Sequence, residues 1–168
     1  MPIVRPETFL IALLAGVPAL SAAAHAGPKA ADFGFTLIDS SGLGEPADAQ
    51  RITALDAQLQ DRLREAGYEI SDVAPVAAQV KEQDLQDCGE CAPALARQVG
   101  AAVSVYGWVQ KVSNLILDIN LVVRSADTGA MLRAGSVSIR GDTDESWRRG
   151  LDYLLSERIF PHGQGLAQ

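Results

Sequence analysis

The sequence predicts an α/β (α+β) domain: a βαβ unit, two short helices, a three-stranded antiparallel meander and a C-terminal helix packed on a mixed sheet. Three observations predict it. In the first half, an apolar run gives way to leucines at helical spacing and then to a second short apolar run. Between Val103 and Ile139, apolar and polar residues alternate in stretches separated by turn formers. The twenty residues from Gly141 to Phe160 carry Trp147, Leu151, Leu154, Leu155 and Ile159 on one helical face.

The elements follow in order. "FGFTLID", Phe33 to Asp39, is a strand, and the "SSGLGEPAD" after it is rich in turn formers. Ile52, Leu55, Leu59 and Leu63 predict a helix from Ala47 to Ala66, with Gly67 closing it. "YEISDV", Tyr68 to Val73, is a second strand, completing a βαβ crossover. Pro75 to Gln86 and Pro93 to Val99 are short helices, the second closed by Gly100. In the meander Val103, Val105, Val109, Leu115, Leu117, Ile119, Leu121 and Val123 share one face. Ser113–Asn114 and Asp127–Gly129 supply its turns, and Gly135 marks a bulge in its third strand. Asp142 caps the final helix, with Glu145 reaching back in a variant of the capping box.

The chain opens "MPIVRPETFLIALLAGVPALSAAAHAG". Arg5, the apolar run from Phe9 to Leu20 and the small residues of Ala24–Ala26 form the three parts of a secretory signal, with cleavage expected after Ala26. A span needs roughly 18 apolar residues; this run is shorter, and Pro18 interrupts it. No later segment is long and apolar enough, and no cysteine follows the cleavage point to carry a lipid anchor. The expected organisation is a signal peptide at 1–26, one α/β domain at 27–160 and a flexible tail at 161–168, in a periplasmic protein without a membrane span.

The net charge of −7 survives cleavage, because the leader holds one Arg and one Glu. Such a domain has no basic footprint for nucleic acid. His25 falls in the leader, so His162 in the tail is the remaining histidine. Nucleophilic catalysis with a positioned imidazole and three-ligand catalytic zinc are therefore disfavoured. "GLGEPA" has two glycines of a dinucleotide fingerprint, but Glu45 and Pro46 stand where a phosphate needs backbone donors. No cofactor is expected. Asp142, Asp144 and Glu145 in one segment and Asp39 and Glu45 in another are short of a calcium site's ligand count; acidic groups at a helix start also complement its dipole.

Cys88 and Cys91, the two cysteines of "DCGEC", are the sharpest feature. As a redox pair they would need a lowered thiol pKa, yet Asp87 and Glu90 flank them and work in the opposite direction. The preferred reading is a disulfide staple in the joint between two short helices, formed in an oxidising compartment. A thiol-disulfide protein acting through Cys88 and Cys91 is the alternative.

Tyr106, Trp108, Lys111, Asn120, Arg124 and Arg140 form a candidate interaction face on the meander. Aromatics mixed with Arg and Asn suit a protein partner; the competing reading is that helices cover the face and the aromatics are core.

The run "GWVQKVSNLILDINLVVRSADTGAMLRAGSVSIRGDTDESWRRGLDYLL", Gly107 to Leu155, resembles a family of predicted periplasmic bacterial proteins of unknown function. The resemblance extends to "FTLIDSSG", Phe35 to Gly42, and to Gly100–Ala101, and so covers most of the exported chain. It implies an association with periplasmic quinoprotein oxidation systems that use pyrroloquinoline quinone. More distantly, the layout is similar to the N-terminal domain of the Tol-system protein TolB and to outer-membrane assembly lipoproteins. There a strand, helix, strand and helix precede a meander ending in a turn that Asp127, Thr128 and Gly129 match. The chain departs from them in its Cys pair and in lacking an anchor cysteine. Together these readings imply a non-enzymatic periplasmic binding or accessory module with a periplasmic protein partner.

Overall fold

The computed structural model describes residues 27–42, 44–161 and 166. The expected leader with its cleavage after Ala26, and His162, lie outside the described residues. Five strands form one mixed sheet in the order β2-β1-β3-β4-β5. Strand β1 (Lys29–Asp39) runs parallel to both its neighbours, β2 (Glu69–Ile70) and β3 (Val103–Ser113). Strands β3, β4 (Ile116–Ser125) and β5 (Met131–Arg140) make the antiparallel meander.

β1 starts at Lys29, ahead of the expected Phe33. Alanine is a poor strand former, but Ala30 and Ala31 are wholly buried and pair with Val103 and Ser104, so packing decides. β2 is shorter than expected. Its ladder stops after Ile70, because Asp72 accepts a hydrogen bond from the Ala74 amide and turns the chain into the 3₁₀ turn Ala74–Val76.

Helix α1 (Asp48–Glu65) crosses from β1 to β2 and buries Leu55, Leu59 and Leu63. Its end is a Schellman motif: the Gly67 amide bonds the Arg64 carbonyl at 2.9 Å and the Tyr68 amide bonds that of Leu63 at 3.0 Å. Gly67 sits at φ +86°, which an L side chain resists. Helices α2 (Ala77–Glu82) and α3 (Cys91–Gln98) are short, as expected.

Helix α4 (Asp144–Leu154) continues into a π-turn, Leu155–Ile159. Its cap differs from the expected Asp142 and Glu145. Thr143 is the N-cap, and its hydroxyl and that of Ser146 exchange bonds with each other's amides in a capping box. Asp142 is held elsewhere, as described below. Gly135 is not a bulge: it pairs in register with Leu121, and the ladder shifts between Val123 and Arg124. Glycine is required there because a Cβ would come within 2.7 Å of Leu154 and 2.9 Å of Arg158. Leu115, expected as an inward strand residue, sits in the β3–β4 turn.

The main core lies between one sheet face and α1, α4 and the π-turn, with Trp147 1% exposed. Leu166 is buried there too, and its amide donates to the Tyr68 hydroxyl at 3.0 Å, so the tail expected to be loose is held at that residue. Gly27 lies directly against the Gly67 carbonyl. On the second sheet face α3 packs over one end only. Among the described residues no helix is long and apolar enough to cross a membrane.

Candidate interaction face and buried charge cluster

The second face is built by alternation. Tyr106, Trp108, Asn120, Val122 and Arg124 point away from α1 and α4, because their neighbours Val105, Val109, Ile119, Leu121 and Val123 fill the main core. Arg140 falls on the same side, next to buried Ile139 and opposite Ile116. Tyr106 is core, as the competing reading held: with Val122 it is buried beneath Ala92 of α3. Trp108 is half-buried, opposite Asn120, which in turn faces exposed Ser136. Toward the β3–β4 turn, Val112, Leu115 and Ile116 are 48%, 70% and 40% exposed, an apolar margin beside exposed Arg140. Arg124 lies at the other end, where its guanidinium donates to the Gly129 carbonyl at 3.0 Å.

Lys111 does not belong to this face. It continues the row of Val103, Val105 and Val109, and its side chain is wholly buried on the core side. The ammonium lies 2.9 Å from Asp48 and 2.5 Å from Asp142. Arg51 closes the cluster, reaching Asp142 and Asp144 at 2.8 Å, Asp48 at 3.1 Å and Glu45 at 3.4 Å. Its guanidinium stands over the Trp147 ring, whose Nε1–H donates to Asp142 at 2.8 Å. Burial works to lower the Lys111 pKa, but the hydrogen bonds and charges of Asp142 and Asp48 outweigh it and raise it. Burial likewise works to raise Asp48; Lys111, the Glu45 amide and Arg51 prevail and hold it low.

Two acidic segments of the sequence thus meet here, and Asp48 joins them. Glu45, Asp48 and Asp142 come within 4.8 Å of one another with the reach of a metal site, but Lys111 and Arg51 already supply the cations. Asp39 and Glu145 lie outside the cluster. Asp39 accepts from the Ser41 amide at 2.8 Å, and Glu145 pairs with Arg149 on the surface. The signal that could have found the cluster is the odd-numbered position of Lys111, which puts it inside.

A second buried acid was not anticipated. Asp32 is 5% exposed in β1, where the ladder to β3 shifts between Asp32 and Phe35. One of its oxygens accepts the Gly34 amide at 3.0 Å; the other, with the Gln60 side chain nearby, has no hydrogen bond of good geometry. Burial above all pushes its pKa up to about 6. Asp56 of α1 accepts the Phe35 amide at 2.7 Å, and burial raises it as well.

Cys88 and Cys91 are joined by a disulfide, with Cα atoms 5.4 Å apart. The bridge lies between α2 and α3, and Cys91 opens α3. The loop docks on the β4–β5 turn, with the Glu90 carboxylate against Gly129 and Gly89 near the Arg124 guanidinium.

The family with the description "Protein of unknown function (DUF2380)" matches residues 28–159. The chain belongs to this family, DUF3280. Solved structures place the DUF3280 fold in company. The hypothetical protein CT253 from Chlamydia trachomatis is 12% identical, covering 79% of this chain and 95% of that one, with a TM-score of 0.50. The C-terminal domain of LpoB from Salmonella enterica is 17% identical over 68% and 84%, with a TM-score of 0.49. The PelC dodecamer from Paraburkholderia phytofirmans is 14% identical over 77% and 86%, with a TM-score of 0.48. At such identities the likeness is one of fold alone. No curated protein matches the chain.

Proposed function

We propose that this DUF3280 chain is a non-enzymatic accessory module, exported to the periplasm with removal of residues 1–26, that binds a protein partner through the open end of its second sheet face. The observation that carries this reading is the uneven cover of that face. α3 buries Tyr106 and Val122 but leaves Trp108 half-buried opposite Asn120, with Val112, Ile116 and Arg140 about four residues farther along the same face toward the β3–β4 turn. Aromatic and Arg side chains around an apolar centre are the groups that anchor protein interfaces. Lys111 takes no part, being committed to Asp48 and Asp142.

The test is a crosslinked pull-down of the tagged protein from its native periplasm, with Trp108→Ala and Arg140→Ala run in parallel. One protein enriched by the wild type and lost with both variants supports the reading. A recovered quinoprotein dehydrogenase would place the module with periplasmic oxidation, and an outer-membrane assembly factor with envelope construction. Undiminished recovery by both variants would remove the site from this face.

A further inference from the structure

The sheet's two outer margins are finished differently. Beyond Ala30, β1 has no strand on its outer side. There the ladder shifts, and the amides of Gly34 and Phe35 are taken by the carboxylates of Asp32 and Asp56. A bulge with occupied donors cannot template another strand. The β5 margin has no such protection along most of its length. From Arg133 to Arg140 it pairs with β4 in unbroken register. The Gly141 amide donates to the Leu115 carbonyl on the β4 side. By the alternation of an antiparallel ladder, Ala134, Ser136, Ser138 and Arg140 then direct amide and carbonyl outward. All of these residues are exposed, and among the described residues no strand pairs with them. Only the start of the margin is closed, where the Arg133 guanidinium bonds the Leu132 carbonyl at 2.8 Å.

We propose that this margin of β5 takes an extended, acidic segment of a partner protein as a sixth strand. A row of outward amides and carbonyls is satisfied by extended backbone, the chemistry of strand addition. Charge selects the occupant. In a chain of net charge −7, Ala130 to Gly141 holds Arg133 and Arg140 and no Asp or Glu. Arg158 packs over Gly135 on the same strand, and the Asp118 carboxylate that reaches it from β4 is engaged by the Ser138 hydroxyl. Acidic side chains on the Arg140 side of an incoming strand would meet its exposed guanidinium. A second copy of β5 would instead bring two more arginines and no acid to the margin. The proposal deepens the partner-binding reading but rests on the β5 backbone, so the two can fail separately: loss of the partner with Ser136→Pro but not with Trp108→Ala would keep this one and reject the other.

The experiment titrates the ¹⁵N-labelled protein with a capped heptapeptide of alternating valine and glutamate, using its valine–lysine counterpart as control. The glutamate peptide is expected to shift the amides of Ala134, Ser136, Ser138 and Arg140 saturably and to slow their hydrogen exchange about tenfold. Ser136→Pro removes an outward donor, which an edge strand tolerates, and should abolish the response while leaving the Gly141 amide bonded. Should that variant unfold, Arg140→Glu tests the same point by weakening the glutamate peptide severalfold and favouring the lysine peptide. Unchanged outward amides, or an equal response to both peptides, would overturn the proposal. So would protection of these amides by self-association alone, which would make the occupant a second copy.

Discussion

Asp32 is a buried acid one of whose oxygens lacks a hydrogen bond of good geometry, so its ionised form is poorly served in the folded chain. Its pKa stands near 6 when folded against 3.8 when unfolded, so between these values the folded state binds more protons. Stability should therefore rise as pH falls from about 6 toward 4, by on the order of 2–3 kcal/mol in full. Asp32→Asn keeps an acceptor for Gly34, and should be more stable than the wild type at pH 7.5 and lose this dependence. Urea unfolding at pH 7.5 and 5 measures it, and an identical pH dependence in both proteins would refute the account. Asp48 acts in the opposite sense. Its pKa is lowered, so the stability it lends through Lys111 is lost as pH falls below its folded value. Lys111→Met leaves two buried carboxylates with Arg51 alone, and should cost about 3–5 kcal/mol. Adding Asp142→Asn should recover part of that loss, which separates an uncompensated charge from simple misfit. Lys111 was legible from its odd-numbered place in a buried row; its charge argued for the surface, and the partners that make burial tolerable lie far away in sequence.

The elements legible in the sequence are those made by local pattern: α1 from its leucine spacing, α4 from its apolar face and the meander from its alternation. What escaped depends on distant neighbours. Ala30 and Ala31 become strand because Val103 and Ser104 lie beside them, and Gly135 is dictated by Leu154 and Arg158 rather than by a bulge. The start of α4 shows both sides. Asp142 and Thr143 are both good capping residues, and the choice falls to Thr143 because Asp142 is drawn to Lys111, Arg51 and Trp147. Thr143→Ala should cost about 1 kcal/mol, the usual loss of a cap. Asp142→Ala should cost several times more, since it leaves the buried Lys111 ammonium with Asp48 alone and removes the acceptor of the Trp147 indole and Arg51. Thermal unfolding of the two variants ranks them, and a larger loss for Thr143→Ala would contradict the assignment. Gly135→Val forces a side chain into Leu154 and should destabilise by about 1–3 kcal/mol.

Across the domain, the disulfide ties α3 to the joint before it and sets the Glu90 loop on the β4–β5 turn. A loop this short should contribute only about 2 kcal/mol. A Cys88→Ser, Cys91→Ser protein should therefore still fold and still bind, with a reduced midpoint in urea. The wild-type pair should show a reduction potential below about −300 mV; a value near −200 mV would favour the thiol-disulfide alternative. The βαβ-plus-meander plan was legible before any coordinate. Which sheet face each of these residues joins was legible except for Lys111; the burial of Tyr106 was not, because that depends on where α3 docks. One consequence concerns how the molecule can be handled. Gly27 against Gly67 and Leu166 against Tyr68 bring the first and last described residues to a single corner. The β3–β4 turn lies at the opposite pole, an 11-residue strand away, roughly 33 Å. A label attached at that corner would thus stand most of a strand's length from Arg140 and about half of one from Trp108, leaving the far pole uncovered.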